Sequence, residues 1–210
     1  MKKLIFILVL AMSIHQARAQ KIIEKHIDFS QKTNVVLNLQ IADSIKISTW
    51  NKNEVYAKAS VNINENKDNE AYLTSFEENG KDLKIDAHFK KDYINRKNNC
   101  LSSEITWEVF IPENIFLSVE TINGNIIIEG KTSDIKVHAI SGFVDLAVPS
   151  NKKADLCFKT ISGTIFSNHN FASNSKGNSN FPKVIERMNG GGSSINLETI
   201  SGNIFFRELK

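Results

Sequence analysis

Cysteine and proline are scarce in this chain, with two of the first and three of the second among 210 residues. Two thiols, Cys100 and Cys157, without histidines at ligand spacing cannot build a zinc site. In an exported protein such a pair is free to form a disulfide, which makes Cys100–Cys157 the one candidate bridge. No apolar run approaches the roughly 20 residues of a membrane-spanning helix. The run from Leu4 to Met12 follows Lys2 and Lys3, and the small residues Ala17 and Ala19 flank Arg18. Charge, short apolar stretch and A-x-A site in that order predict a secretory signal peptide over 1–19, cut before Gln20. No cysteine lies at the cut to accept a lipid, so the product is expected to be soluble, exported and without a transmembrane segment.

Excess positive charge is missing too. Removing 1–19 takes away Lys2, Lys3 and Arg18 but no acid, so 26 basic residues fall to 23 against 23 acidic ones. A neutral chain lacks the basic face that nucleic acid or an anionic membrane requires. The densest basic stretch, KKDYINRKNN from Lys90, is diluted by an acid and by asparagines and reads as a solvated loop. Neither G-x-G-x-x-G nor a nucleophile elbow occurs. The sequence therefore nominates no catalytic, cofactor-binding or metal-binding residue.

What the chain does have is a repeat. Four segments align on a glycine: ENIFLSVETINGNIII, TSDIKVHAISGFVDL, KKADLCFKTISGTIFS and GGSSINLETISGNIFF. Their glycines, Gly124, Gly142, Gly163 and Gly202, lie 18, 21 and 39 residues apart, the last interval being close to two periods. A period near 20 points to a repeat architecture. Apolar residues stand seven places before the glycine (Leu117, Ile135, Leu156, Ile195) and five before it (Val119, Val137, Phe158, Leu197), with polar columns between. That alternation marks half-buried strands. Ile126, Val144, Ile165 and Ile204 repeat two places after the glycine, so each unit is strand, corner, strand.

The corner could be a hairpin turn, for which Asn-Gly is a strong signal, or a bend in a coil that continues. The column Ile122, Ile140, Ile161 and Ile200 favours the coil: a hairpin leaves it exposed, whereas a solenoid corner is expected to turn it into the core. Glycine there is expected to supply positive φ. Thr121, Ala139, Thr160 and Thr199 are expected as a small-residue row inside the bend. Asn123, Ser141, Ser162 and Ser201 are expected as a polar ladder satisfying corner backbone groups.

The T-I-S-G units, the entry VFIPENIFLSVETINGNI and the closing NGGGSSINLETISGNIFFRE resemble the bacterial putative adhesin family, exported β-repeat proteins abundant in Bacteroidetes and similar to head GIN-domain putative adhesins. The resemblance covers most of residues 20–210. It implies a right-handed, β-helix-like fold in the cell envelope, and it brings no catalytic residues.

The expected fold is thus all-β, a single β-solenoid domain over 20–210. Residues 20–112 form diverged N-terminal coils, and 113–210 hold the regular repeats with an inserted loop near 167–180. Upstream, Val35, Leu37 and Leu39, then Ile45 and Ile47, then Val55, Ala57 and Ala59 alternate like earlier coils, with Asp43-Ser44 at the corner. KDLKIDAHF and SEITWEVFIP read as two more strands, NENKDNEAYLTSFEENG as holding one helical turn, and Val184 to Met188 as a strand filling the missing coil. The closing RELK is expected to cap the solenoid edge. Trp50 and Trp107 read as packing residues before sugar-stacking platforms.

Three functions remain open. One is a non-enzymatic adhesin or binding scaffold that takes an envelope protein or a surface glycan. Another is a periplasmic regulatory or assembly component that recognises an envelope protein through a solenoid edge. The third, a β-helix carbohydrate-active enzyme, needs several acids converging on one face. Glu120 and Glu198 instead share a column with His138 and Lys159, which reads as an outward charge ladder. Location in the periplasm or at the cell surface stays open.

Overall fold

The computed structural model describes residues 20–94, 102–169 and 182–209; the expected signal peptide, Cys100 and most of the expected loop lie outside them. Strands run β1 Lys21–Asp28, β2 Asn34–Leu39, β3 Ile41–Trp50, β4 Glu54–Ile63, β5 Tyr72–Asn79, β6 Asp82–Phe89, β7 Ser103–Pro112 and β8 Phe116–Glu129. Then follow β9 Ile135–Ser141, β10 Val144–Val148, β11 Ala154–Ser162, β12 Ile165–Ser167, β13 Lys183–Met188, β14 Ser193–Ser201 and β15 Ile204–Glu208. The expected helical turn is the short helix Asn69–Ala71.

These strands make one 15-stranded sheet. It is shared at β8, whose first half pairs with β2 and β9 and whose second half pairs with β3 and β10. The sheet therefore has a front half, ordered β5-β6-β2-β8-β9-β14-β11-β13, and a back half, ordered β1-β4-β7-β3-β8-β10-β15-β12. Both halves turn alternate residues into one core. Front-half Val35, Leu37, Val119 and Val137 and back-half Ile45, Ile47, Ile126 and Ile128 are at most 1% exposed. Trp107 seals the core with Tyr72: its Nε1 donates to the Tyr72 hydroxyl (3.1 Å), which donates to the Ile41 carbonyl (3.1 Å). Burial pushes the Tyr72 phenol up to about 12. The sheet is not closed, because among the described residues β1, β5, β12 and β13 each pair on one side only.

The chain does not fold back at the glycines. β8 runs through its corner, and β9, β11 and β14 cross from the front half to β10, β12 and β15 in the back half with like residues in parallel register. This excludes the hairpin. The reason expected for it was wrong, however: Ile122, Ile140, Ile161 and Ile200 are 47%, 41%, 41% and 38% exposed. Strand alternation persists through the isoleucine, and the phase slips only afterwards. Thr121 faces in, Ile122 out, and the next inward side chain, past the buried Gly124, is that of Ile126. Asn123, Gly124 and Asn125 absorb the extra step.

Stacking order departs from sequence order. β14 lies between β9 and β11, and β15 between β10 and β12, so the last repeat is inserted between the second and third. β13 does not fill a missing coil; it runs antiparallel along the outer edge of β11. Charge favours the insertion. Glu198 then stands between His138 and Lys159, where sequence order would put the two basic groups side by side. Arg207 of the inserted unit likewise reaches Asp145 of β10 (2.6 Å) and Glu129 of β8 (3.5 Å). The closing segment is not an outer strand of the stack: Ile204–Phe206 lie between β10 and β12, and Arg207 and Glu208 pair with Ala147 and Val148 of β10.

Upstream, β2 and β3 pair in parallel with the first and second halves of β8. Register puts Ile41 opposite Asn123, so Ala42 rather than Ser44 holds the glycine's place. Val55, Ala57 and Ala59 belong to no coil, because β4 runs antiparallel to both β1 and β7.

The glycines are explained by contact more than by φ. Gly142 (+108°) and Gly202 (+157°) have positive φ, while Gly124 and Gly163 do not. A Cβ on Gly142 would stand 2.2 Å from the Gly124 carbonyl oxygen, one on Gly202 2.0 Å from that of Gly142, and one on Gly163 2.0 Å from that of Gly202. Each corner rests on the backbone of the next. Gly142→Ala is expected to destabilise by about 3 kcal/mol or more, through overpacking against immovable backbone together with φ strain. Gly80→Ala, which meets nothing within 4 Å at φ +58°, should lose only about 1 kcal/mol. Urea unfolding of the two variants checks the contrast.

Candidate functional site

Each corner is held by side chains from inside and outside. Thr121, Ala139, Thr199 and Thr160 form the buried small row that was expected. Thr160 and Thr199 donate to the Gly202 carbonyl at 2.9 and 3.2 Å. On the other flank, Asn125 Oδ1 accepts from the Phe143 N–H (3.2 Å) and Asn203 Oδ1 from the Thr164 N–H (2.9 Å). The asparagine after the glycine and the buried threonines thus supply the corner hydrogen bonds assigned beforehand to Asn123, Ser141, Ser162 and Ser201.

Fixed corners hold two outward rows on the front half. One is Ile122, Ile140, Ile200 and Ile161 on β8, β9, β14 and β11, an exposed apolar ridge at the roughly 4.8 Å spacing of adjacent strands. Two residues upstream runs the second row: Glu120, His138, Glu198, Lys159. Lys159 Nζ lies 2.7 Å from Glu198, and His138 Nδ1 lies 3.9 Å from the same carboxylate. The rows meet in a shallow depression of about 280 Å³ lined by Asn38, Gln40, Glu120, Ile122, His138 and Ile140.

The back half carries a different surface. His26, Tyr56 and Phe110 are direct cross-strand neighbours on β1, β4 and β7, and Trp50 at the end of β3 joins them. Ring centroids are 4.7 Å apart for His26–Tyr56, 6.0 Å for Tyr56–Phe110 and 5.2 Å for Trp50–Phe110. Trp50 is fixed by its Nε1–H, which donates to the Glu54 carbonyl (2.7 Å), and Lys52 Nζ lies 4.4 Å above its ring. Beside this strip run a charged row, Glu24, Lys58, Glu108 and Lys46, and a hydroxyl row, Ser60, Thr106 and Ser44. Lys46, Lys58, Ser60, Thr106 and Glu108 help line a depression of about 490 Å³.

Of the two tryptophans, Trp107 packs as expected, 2% exposed. Trp50 is half-buried on the outer face. Tyr56, Phe110 and His26 were not singled out in the sequence. Alternation with buried Val55, Ala57 and Val109 was a signal that they point outward, but only the antiparallel register places them side by side. Cys157 is half-buried on β11 between Asn196 and Ile185 of the adjoining strands.

No protein-family model and no curated protein matches the chain. Among solved structures, a putative cell adhesion protein from Clostridium sporogenes is similar, with a TM-score of 0.61 at 15% identity, over 90% of this chain and 100% of that one. At that identity the likeness is one of fold. A putative adhesin from Bacteroides fragilis (8% identity, TM-score 0.28, 91% and 99% covered) and a putative lipid binding protein from Parabacteroides distasonis (12%, 0.27, 90% and 97%) superpose poorly. No helix among the described residues is long and apolar enough to cross a membrane.

The Lys159 hydrogen bond, opposed by partial desolvation and reinforced by the charges of Lys159, His138 and Lys136, holds the Glu198 carboxyl below its ordinary value. A depressed folded-state value stabilises above the unfolded carboxylate pKa and loses that contribution as pH falls through the folded one. Lys159→Met should therefore move the Glu198 titration upward in an NMR pH series. The stability loss near neutral pH should stay at about 0.5 kcal/mol or less, because both groups are solvent-screened.

Proposed function

We propose that this chain is a non-enzymatic, exported binding scaffold of the cell envelope, an adhesin-type protein that presents an extended β surface to a surface glycan. The observation that carries the proposal is the half-exposed aromatic strip of Trp50, Phe110, Tyr56 and His26 on the outer face of the back half. Rings have a favourable alternative in the core, where each buries a large area. Four of them gathered on an outer face, edged by hydroxyl and charged rows, suit a ligand with apolar ring faces and many hydroxyls. A saccharide has both. A solved protein of similar fold, that from Clostridium sporogenes, bears the name putative cell adhesion protein, in keeping with that role.

The finer features belong to the same proposal. Residues 1–19 serve as the cleaved export signal, residues 20–210 form one domain, and the coils wind as a right-handed solenoid whose stack is extended by antiparallel strands at both ends. Glu120 and Glu198 act as rungs of an outward charged row, in which Glu198 pairs with Lys159.

The test of function is retention of the purified protein on immobilised envelope polysaccharide from its own organism. Wild type should bind, and Trp50→Ala and Tyr56→Ala should each weaken binding about tenfold, the equivalent of ~1.4 kcal/mol. Equal retention of wild type and both variants, or of none, would remove the aromatic strip from the proposal.

A further inference from the structure

The outward face of the front half is charge-complementary to itself. Across β8, β9, β14 and β11 the charged row reads Glu120, His138, Glu198, Lys159. Consider a two-fold axis lying along the strands, midway between β9 and β14. It lays a second copy face down with its strand order reversed. Glu120 then faces the second copy's Lys159, and His138 faces its Glu198. Each acid meets a basic group or a histidine N–H donor, twice over.

The neighbouring rows obey the same operation. Ile122 falls opposite Ile161 and Ile140 opposite Ile200, so the exposed ridge covers itself. One row further from the corner, Val36 of β2 comes over Ile185 of β13, which at 62% is more exposed than the other large apolar side chains of the face. Lys136 meets Asn196, Asn38 meets Lys183, and Asn34 meets Arg187. No two like charges oppose.

This property depends on the shuffled stacking order. Had the repeats stacked in sequence order, the row would read Glu120, His138, Lys159, Glu198, and the same axis would set Glu120 against Glu198 and His138 against Lys159. A mutually covering apolar ridge also accounts for four isoleucines left exposed at one repeat position, which a monomer in water does not favour.

We propose that the front half is a homophilic surface, which pairs two copies of this chain face to face about a two-fold axis running along the strands between β9 and β14. Such an interface is isologous, the same patch serving both partners. Its two sheets pack in the aligned class, with strand directions within about 30°. Six strands at ~4.8 Å give a face about 29 Å wide, small for a permanent dimer, so association is expected in the micromolar range. The inference is independent of the saccharide proposal, which uses the opposite face.

Sedimentation of purified wild type, Glu120→Lys, Lys159→Glu and an equimolar mixture of the two variants tests it. Wild type should show a monomer–dimer equilibrium. Each variant alone should associate at least tenfold more weakly, since two like-charge contacts replace two attractive ones. In the mixture position 120 of each chain again meets the opposite charge at position 159 of the other, so dimerisation should return to near wild-type strength. Circular dichroism of each variant verifies folding, and polysaccharide retention of Glu120→Lys should be unchanged. A wild type that remains monomeric at high micromolar concentration, or a mixture no stronger than its components, overturns the proposal. So does unimpaired association of an Ile140→Lys, Ile200→Lys double variant.

Discussion

The structure depends on the close approach of one corner backbone to the next. Parallel ladders set adjacent units about 4.8 Å apart, and at the bend, where the chain turns side-on, that distance leaves no room for a side chain between the α-carbon of one unit and the glycine carbonyl of its neighbour. A Cβ at Gly163 or Gly202 would sit 2.0 Å from that oxygen. Every other corner feature follows from this approach. The residue facing inward just before the bend must be small, which yields the threonine and alanine row, and its hydroxyl lies within reach of the carbonyls brought close. The residue just after the glycine lies beside the next unit's N–H, which yields Asn125 and Asn203. The T-I-S-G signature is the sequence trace of one steric condition met four times.

Much of the architecture was therefore legible, because it reduces to local periodicity. Alternation at Leu117 and Val119, at Ile135 and Val137, and at Ile195 and Leu197 predicts strands that the structure contains with the same residues buried. Two features were not legible, for different reasons. The side taken by Ile122 and its equivalents depends on which residue absorbs the phase slip. Both choices preserve the apolar columns on either side, so the pattern is silent; backbone crowding at the glycine decides it. Stacking order is a subtler matter. Apolar columns alone do not fix which unit packs on which, although bulk varies between units, as where Phe158 meets Phe206 in the core with ring centroids 5.1 Å apart. The outward column differs as well: in the inserted position Glu198 separates His138 from Lys159, and Arg207 reaches Asp145 and Glu129. Surface charge, worth little pair by pair, is thus one of the features that differ between the two stacking orders.

The candidate surfaces were legible in part. Glu120, His138, Glu198 and Lys159 could be recognised as an outward column from the repeat alone, but their true spatial sequence required the stacking order. The aromatic strip was hidden more deeply. Tyr56 and Phe110 are 54 positions apart in the chain, and neither belongs to a repeat, since β4 and β7 meet as an antiparallel pair. Three of the strip's four residues lie on β1, β4 and β7, outside the repeating units, where no column is available to reveal a pattern.

This division has a physical rationale. A stack of identical corners gives rigidity and a regular row spacing, so its outer face can vary from rung to rung without disturbing the core; that is the freedom a row of alternating charge uses. The same regularity prevents the stack from gathering large aromatic side chains on one outer face unless they recur in several units, as Phe143, Phe166 and Phe205 do among the described residues. The antiparallel strands of the back half carry no such constraint. They join residues distant in the chain, so His26, Tyr56 and Phe110 can be assembled there from single positions, beside Trp50 of β3. Periodic recognition of a like partner belongs to the repeats, and recognition of a chemically distinct ligand to the strands that extend them.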